Sequence, residues 1–499
     1  MEWWALGGTA ALVAGLIVTT VALVLTGHAV NLRLRRWARR KLTRTARLTL
    51  RRFRARVDRF KFTGKAHMRR RLLADPVVAK AVALQAAAQE DPDVGVDLDG
   101  SWERAEDYLE EIVPSFSILS YFRVGYAAAR VVLGSLYRTD VDPADMERLR
   151  PLFRDKSKSL LFLVNHRSNA DFVLLALALA HRVALSYAVG EWARVWPLEP
   201  LFKSFGSYFV RRGERDPLYH TVLSRYVQHI VMEGVTQGVF LEGGLSRDGA
   251  FRAPKVGLLD SLLLAKNDPS FTKELIIIPI SVSFDRVLED ESLIMEAGGA
   301  RPERWKRRRL LWKQARAVAT YLFLQSGPWM FAWQRRFGHA AVRVGTPMSA
   351  DAWLKQHPGW LQGDRNARKQ PLLGLANNVM EDIALNVAIL PTPLLCSILH
   401  ERTALPLAEA RALFATRADV LRGAGARLWM PNRRLTDPFS MACRILKARG
   451  VVREVEGALL VPESGRAIVS YYAKGIPYDF AAGRRLTPVV PPQSDSAAH

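Results

Sequence analysis

In the segment LVNHRSNADF, His166 stands five residues ahead of Asp171. An imidazole takes up a proton near neutral pH, and a carboxylate beside it orients the ring and stabilises its cationic form. No G-x-S-x-G elbow supplies a serine nucleophile, so the simplest chemistry is direct. His166 would deprotonate an alcohol for attack on a bound thioester, with no acyl-enzyme stage. Free N–H groups at the start of the following helix would stabilise the oxyanion. Taken alone, the same spacing also fits a satisfied loop histidine followed by a helix-capping aspartate.

Two further clusters bear on the choice. GSYFVRRG carries Arg211 and Arg212, and FLEGGLSRDG carries Glu242, Gly243, Gly244 and Arg247. Paired glycines let backbone approach a ligand, and guanidinium groups match phosphate oxygens in a planar fork. Singly, the arginines read as surface charge and the glycines as a turn. Together the three clusters supply one base and two sets of cations, a fit to an acceptor with an anionic end.

These clusters need a scaffold that brings them together. LLFLV (160–164), ALSYAV (184–189), SYFV (207–210), VFLE (239–242), IIIPIS (276–281) and AVRV (341–344) are short apolar runs separated by turn residues or helical stretches. Strands alternating with helices predict an α/β fold, a largely parallel sheet flanked by helices. Each polar cluster then falls at a strand end, where such sheets place reacting groups. Two interrupted apolar helices, around 116–137 and 317–333, are expected in the core or at a membrane surface. Residues 86–104 are acidic and rich in turn formers, and read as a linker. Past about residue 350 the pattern turns helical, as a second small domain or a cap on the first. It holds a candidate helix in LLGLANNVMEDIALNVAIL, a helical pair in LAEARALFATRADVLRGAGARL and a helix-plus-hairpin after Met441. The expected division is an anchor at 1–30, a basic helix and linker at 31–112, the α/β domain at 113–350, a helical region at 351–485 and a loose tail at 486–499.

The net charge of +24 suggests a nucleic-acid binder until it is located. Residues 31–71 hold eighteen Lys or Arg and one acid, so that segment carries +17 and the rest of the chain +7. It directly follows residues 3–27, which contain no charged side chain and are long enough to span a bilayer as a helix. The expectation is a retained transmembrane helix with the arginines and the body on the cytoplasmic side. Ala46, Leu50, Phe53, Val57 and Phe60 form one apolar stripe on a cationic helix suited to an anionic leaflet. A solvated linker is the plainer alternative. With no base-reading motif, lipid is the expected polyanionic partner and nucleic acid is not. Cys396 and Cys443 match no disulfide or metal spacing, and no ligand cluster implies a metal or cofactor.

The ordered blocks NHRSNADF, GSYFVRRG, FLEGGLSRDG with PKVG, and IIPISVSFDRVLED resemble those of the glycerol-3-phosphate and dihydroxyacetone-phosphate acyltransferases. PTPLL and SYYAKGI resemble stretches of the bacterial branch. The likeness runs over roughly residues 115–480. It implies the glycerolipid acyltransferase fold, an acyl-CoA or acyl-carrier-protein donor and a place at the cytoplasmic face of a bacterial inner membrane. It implies acylation of the 1-hydroxyl of glycerol 3-phosphate, the first step of phospholipid synthesis, without a cofactor. His166 and Asp171 carry over as the catalytic pair, and Arg211, Glu242, Gly243 and Arg247 as substrate-binding residues. Pro279 matches the proline of the fourth block, expected to shape an acceptor or acyl pocket. Where the family has arginine after E-G-G or E-G-T, this chain has Leu245. Either Arg212, Arg247 or Lys255 compensates, or the acceptor is a different one: lysophosphatidate, dihydroxyacetone phosphate or another lipid. A lipid-binding scaffold without catalysis is the reading from another class.

Overall fold

The computed structural model describes residues 65–89, 97–116, 130, 133–134, 136–179, 182–190, 198–211, 213–298, 337–430 and 437–486. The expected anchor at 3–27, the basic stripe at 46–60, the helix at 317–333, most of 116–137 and the tail from 487 lie outside them. Among the described residues no helix is long and apolar enough to cross a membrane.

Eight strands make the main sheet: β1 (Arg138–Val141), β2 (Lys158–Val164), β3 (Ser186–Gly190), β4 (Tyr208–Val210), β5 (Gln237–Phe240), β6 (Glu274–Phe284), β7 (His339–Val344) and β8 (Met348–Ser349). Their order is β1-β7-β6-β2-β5-β3-β4, with β8 pairing to β6 off this path. From β6 to β4 every pairing is parallel; β7 runs antiparallel to β6, and β1 parallel to β7. The sheet is therefore mixed and mostly parallel, and β2, β5 and β4 finish at the same rim.

The central strands are continuous apolar runs because both faces are covered. In β2, Leu160, Phe162 and Val164 enter one apolar cluster, whereas Leu161 and Leu163 enter the other. β6 repeats the alternation, with Ile276, Ile278, Ile280 and Val282 on one side and Leu275 and Ile277 on the other. Each fully buried side chain of this size contributes about 1.5–3 kcal/mol. β1, RTDV, escaped the reading because an edge strand with half-exposed side chains carries no apolar run.

The segment 65–112 differs from expectation. Residues 86–104 are not a plain linker: helices Pro76–Ala88 and Leu98–Ile112 occupy both described ends of it. With helix Lys65–Leu73 they pack Met68, Leu72, Val78, Val82, Ala105 and Leu109 into the same cluster as helix Pro217–Met232. Asp75 joins the pieces. It caps the Pro76 helix through Val77 N–H and accepts hydrogen bonds from Arg225 and His229 of the Pro217 helix.

The region past 350 is likewise built into the core. Helix Arg365–Leu385 covers one face of the sheet, while helices Pro391–Glu401, Leu407–Gly423, Pro438–Ala448 and Glu463–Ala473 cover the other. The stretch expected as a helical pair is the single helix Leu407–Gly423. The expected helix-plus-hairpin is present as helix Pro438–Ala448 and the antiparallel pair Arg453–Val455 and Ala458–Leu460.

Candidate active site

β2 ends at Val164, and the side chain of Asn165 continues its pairing. Asn165 Nδ2 donates to Val282 O at 3.0 Å, and Oδ1 accepts Val282 N–H at 2.8 Å. This frees the backbone to turn away at His166. There the His166 N–H donates to Glu242 Oε1 at 2.9 Å, and its carbonyl accepts Ser246 N–H at 3.0 Å. The ring stacks on Phe240 with centroids 4.0 Å apart and planes inclined by 16°.

His166 Nδ1 lies 2.9 Å from Asp171 Oδ2. That oxygen also accepts the N–H groups of Arg167, at 2.7 Å, and Ser168, at 3.0 Å. Asp171 begins helix Asp171–Leu179, yet its carboxylate reaches back into the loop. The alternative reading, an aspartate capping its own helix beside an unrelated histidine, does not describe this geometry. With Nδ1–H assigned toward the carboxylate, Nε2 keeps its lone pair and has no partner among the described residues. Asp171 is fully buried, whereas 9% of the His166 side chain stays accessible, so the ring is the member of the pair that reaches outward.

Glu242, expected at the substrate, is fully buried, and Oε2 accepts Arg252 N–H at 3.0 Å. Burial raises its carboxyl pKa, opposed by the Arg167 charge and the His166 and Arg252 N–H bonds. Through the His166 and Arg252 N–H groups it braces two loops. Gly243 follows at φ +64°, and a Cβ there would meet Lys255 Cδ at 2.7 Å, so glycine is required where the lysine crosses. Lys255 is exposed and its N–H pairs with Leu241 O. Gly244 is buried. Leu245 packs its side chain against the core, and its carbonyl accepts Arg252 Nη1 at 3.2 Å. Arg252, which the motif reading passed over, thus brings a guanidinium to the position where the resemblance shows a cation missing.

The other expected cations are placed differently. Arg247 is half-exposed and its Nε pairs with Glu296 at 3.1 Å. Arg211 is already engaged: Nε and Nη2 fork onto Glu111, Nη1 meets Glu214 at 3.0 Å, and the group stacks against Tyr108 and Tyr219. Its side chain lines a groove of about 1240 Å³ with Tyr219, Arg225, Arg365 and Lys369, and His166 is not part of that lining. Arg212 lies outside the described residues. Pro279, expected to shape a pocket, is buried inside β6 opposite Leu163. Its carbonyl accepts Gly345 N–H, so its missing donor faces the same edge, where pairing passes from β8 at Ile277 to β7 at Ile280. The proline sits at the one gap in that ladder where no N–H is needed.

Two more residues complete the loop. Arg167 is buried, donates to Gly249 O and lies 4.4 Å over the Phe251 ring. Glu289, from the stretch after β6, accepts Ser168 Oγ–H at 2.7 Å and Asn169 N–H at 3.2 Å. Burial, then the charge of Asp171, raises the Glu289 pKa. Its sequence signal was only a position inside the fourth block. Among the described residues no group of three His, Cys, Asp or Glu could hold a metal ion.

Residues 144–283 match the family described as Acyltransferase, and residues 330–473 match the glycerol-3-phosphate acyltransferase C-terminal region. An acyltransferase match is thus followed along the chain by a match to the glycerol-3-phosphate acyltransferase C-terminal region. A glycerol-3-phosphate acyltransferase of Aeromonas hydrophila subsp. hydrophila is 26% identical over 371 residues, covering 72% of this chain and 43% of that protein. One from Haemophilus influenzae strain PittEE is 25% identical over 351 residues, covering 70% and 40%. The matched part therefore spans less than half the length of these bacterial relatives. A solved 1-acyl-sn-glycerophosphate acyltransferase, PlsC from Thermotoga maritima, aligns over 57% of this chain and 81% of its own at 14% identity. Its TM-score of 0.28 is too low to argue from.

Proposed function

We propose that this chain transfers a fatty acyl group from acyl-CoA or acyl-carrier protein to the 1-hydroxyl of glycerol 3-phosphate at a bacterial inner membrane. The observation that carries the reading is the His166–Asp171 pair, held at 2.9 Å with Nε2 unpartnered among the described residues. Nε2 takes the proton of the acceptor hydroxyl as that oxygen attacks the thioester carbon. Asp171 steadies the imidazolium that forms, and the thiol leaves with a proton returned from Nε2. Arg252, whose N–H is held by Glu242, and Lys255, which crosses Gly243, are assigned to the acceptor phosphate. The test is an acceptor panel with one labelled acyl-CoA, run on purified wild-type protein and on His166→Ala. Incorporation into glycerol 3-phosphate by wild type alone supports the reading. Equal incorporation by both removes His166 as the base.

Leu245 supplies no cation where the resemblance shows an arginine, which leaves a second acceptor, such as lysophosphatidate, in play. The same panel separates the two.

The uncharged stretch 3–27 and the basic segment behind it are assigned to membrane attachment, with the body on the cytoplasmic side. Deleting residues 1–63 spares the helix Lys65–Leu73, which belongs to the core, and is expected to release the protein from membranes. A truncated protein that stays in the membrane fraction moves the anchor elsewhere.

A further inference from the structure

Two consecutive acids after β6 are bonded to different parts of the chain. Glu289 engages the catalytic loop, taking Ser168 Oγ–H and Asn169 N–H, and Ser168 Oγ in turn accepts Ala170 N–H at 3.0 Å. Asp290 engages the C-terminal region. Arg449 forks onto it, with Nη1 to Oδ2 at 2.6 Å and Nη2 to Oδ1 at 2.8 Å, and Tyr472 O–H donates to Oδ2 at 2.5 Å. Tyr472 also accepts Val287 N–H at 2.8 Å, fixing the backbone just ahead of the pair. Glu289, Asp290, Ser168 and Tyr472 are buried, as is the side chain of Arg449, and both acids sit within a few residues of the strand that anchors Asn165.

The neighbouring helix turn grips the loop from a second side. Gly249 accepts the Arg167 guanidinium, and a Cβ on Gly249 would meet Tyr471 O at 1.8 Å. Only glycine lets the backbone of the Arg167 partner lie against the C-terminal helix.

We propose that the C-terminal region positions the catalytic histidine through the Glu289–Asp290 pair, with Glu289 as a positioning residue. The path is continuous: Arg449 and Tyr472 hold Asp290, and its neighbour Glu289 holds Ser168 and Asn169. The Ser168 N–H then bonds the same Asp171 oxygen that meets His166 Nδ1. Release of Glu289 frees the turn that sets that oxygen. A shift of about 1 Å at a reacting group costs on the order of 10²-fold in rate. This rests on His166 being the base.

The test uses the full chain in detergent, with kcat and KM for glycerol 3-phosphate measured separately. Glu289→Ala is expected to lower kcat about 10- to 100-fold with KM changed less than about threefold. Glu289→Gln is expected to recover most of that loss, because its amide oxygen accepts Asn169 N–H and its amide N–H reaches Ser168 Oγ. Tyr472→Phe is expected to lower kcat in wild type and to add little in the Glu289→Ala background, the signature of one shared path. Wild-type kcat in Glu289→Ala, a loss confined to KM, no recovery in Glu289→Gln, or additive losses with Tyr472→Phe each overturns the proposal. If Glu289→Ala does not fold, Ser168→Ala cuts the same bond from the other end and is held to the same outcomes. His166→Ala is run alongside. Turnover surviving there defeats the base reading itself, whereas loss there with a silent Glu289→Ala defeats only the positioning role.

Discussion

The ends of β2 and β4 look alike in the sequence, each an apolar run followed by polar residues, yet the structure uses them differently. After β2, hydrogen bonds are spent on the backbone and on one imidazole nitrogen, and among the described residues the other nitrogen is left over. After β4, every nitrogen of the Arg211 guanidinium is taken by Glu111 or Glu214. A strand-end polar residue becomes a candidate for chemistry when its bonding capacity is not exhausted within the fold. Arg211 fails that criterion and His166 meets it.

The sharpest way to break this contrast is to remove the two side chains in turn. His166→Ala is expected to lower kcat/KM by about 10²–10⁴-fold, an effect on rate larger than the stability lost with its Asp171 bond and Phe240 stack. Arg211→Ala is expected to do the reverse. Glu111 is buried and would lose its fork, so unfolding in urea is expected about 1–3 kcal/mol easier, discounted for the partly exposed arginine, with KM little altered. A large rise in KM at unchanged stability would put Arg211 at the substrate and end the contrast.

Arg252→Ala sharpens it on the cation side. If its guanidinium grips an acceptor phosphate, KM for glycerol 3-phosphate rises about 10- to 100-fold, from a charge-assisted bond of about 1.5–3 kcal/mol. KM within twofold of wild type would return Arg252 to a purely structural bond with Leu245.

The smallest expected effect is a pH dependence at Glu242. Its carboxyl pKa is raised by burial, so the folded state binds that proton more tightly than the unfolded state. Its contribution to stability is therefore greatest below the ordinary carboxylate value of 4.5 and falls as pH rises from there through the raised folded value. Glu242→Gln lacks this titration. Its stability relative to wild type is expected to improve as pH rises through that window, measured by urea unfolding at several pH values. A difference independent of pH would remove the titration from the account.

How much of this was legible depended on how locally each feature is encoded. The six apolar runs became strands because both sheet faces are covered, and burial on two sides writes itself into consecutive residues. β1 and the two-residue β8 carry too few apolar side chains to be seen. The dyad was legible because its partners stand five residues apart on one loop. Glu111 beside Arg211 is 100 residues upstream, and Glu289 beside Ser168 is 121 downstream. Such pairings are set by tertiary folding and leave no mark in spacing. Residues 86–104 were misread because Asp and Gly, taken as turn signals, here cap and begin a helix: Asp97 accepts Gly100 N–H at the start of Leu98–Ile112.

Asn165 gives the loop a property that its own composition would not. Its carboxamide serves as a surrogate rung, so the β-ladder extends one step past the last residue with strand geometry. The mobility expected of a loop should therefore begin only beyond His166, and the Val282 amide, trapped by that carboxamide, should exchange with solvent as slowly as amides deep in the sheet. Asn165→Asp keeps an acceptor for that amide and loses the donor to Val282 O, which would halve the rung and let the histidine's root drift while the strands beneath it stay put.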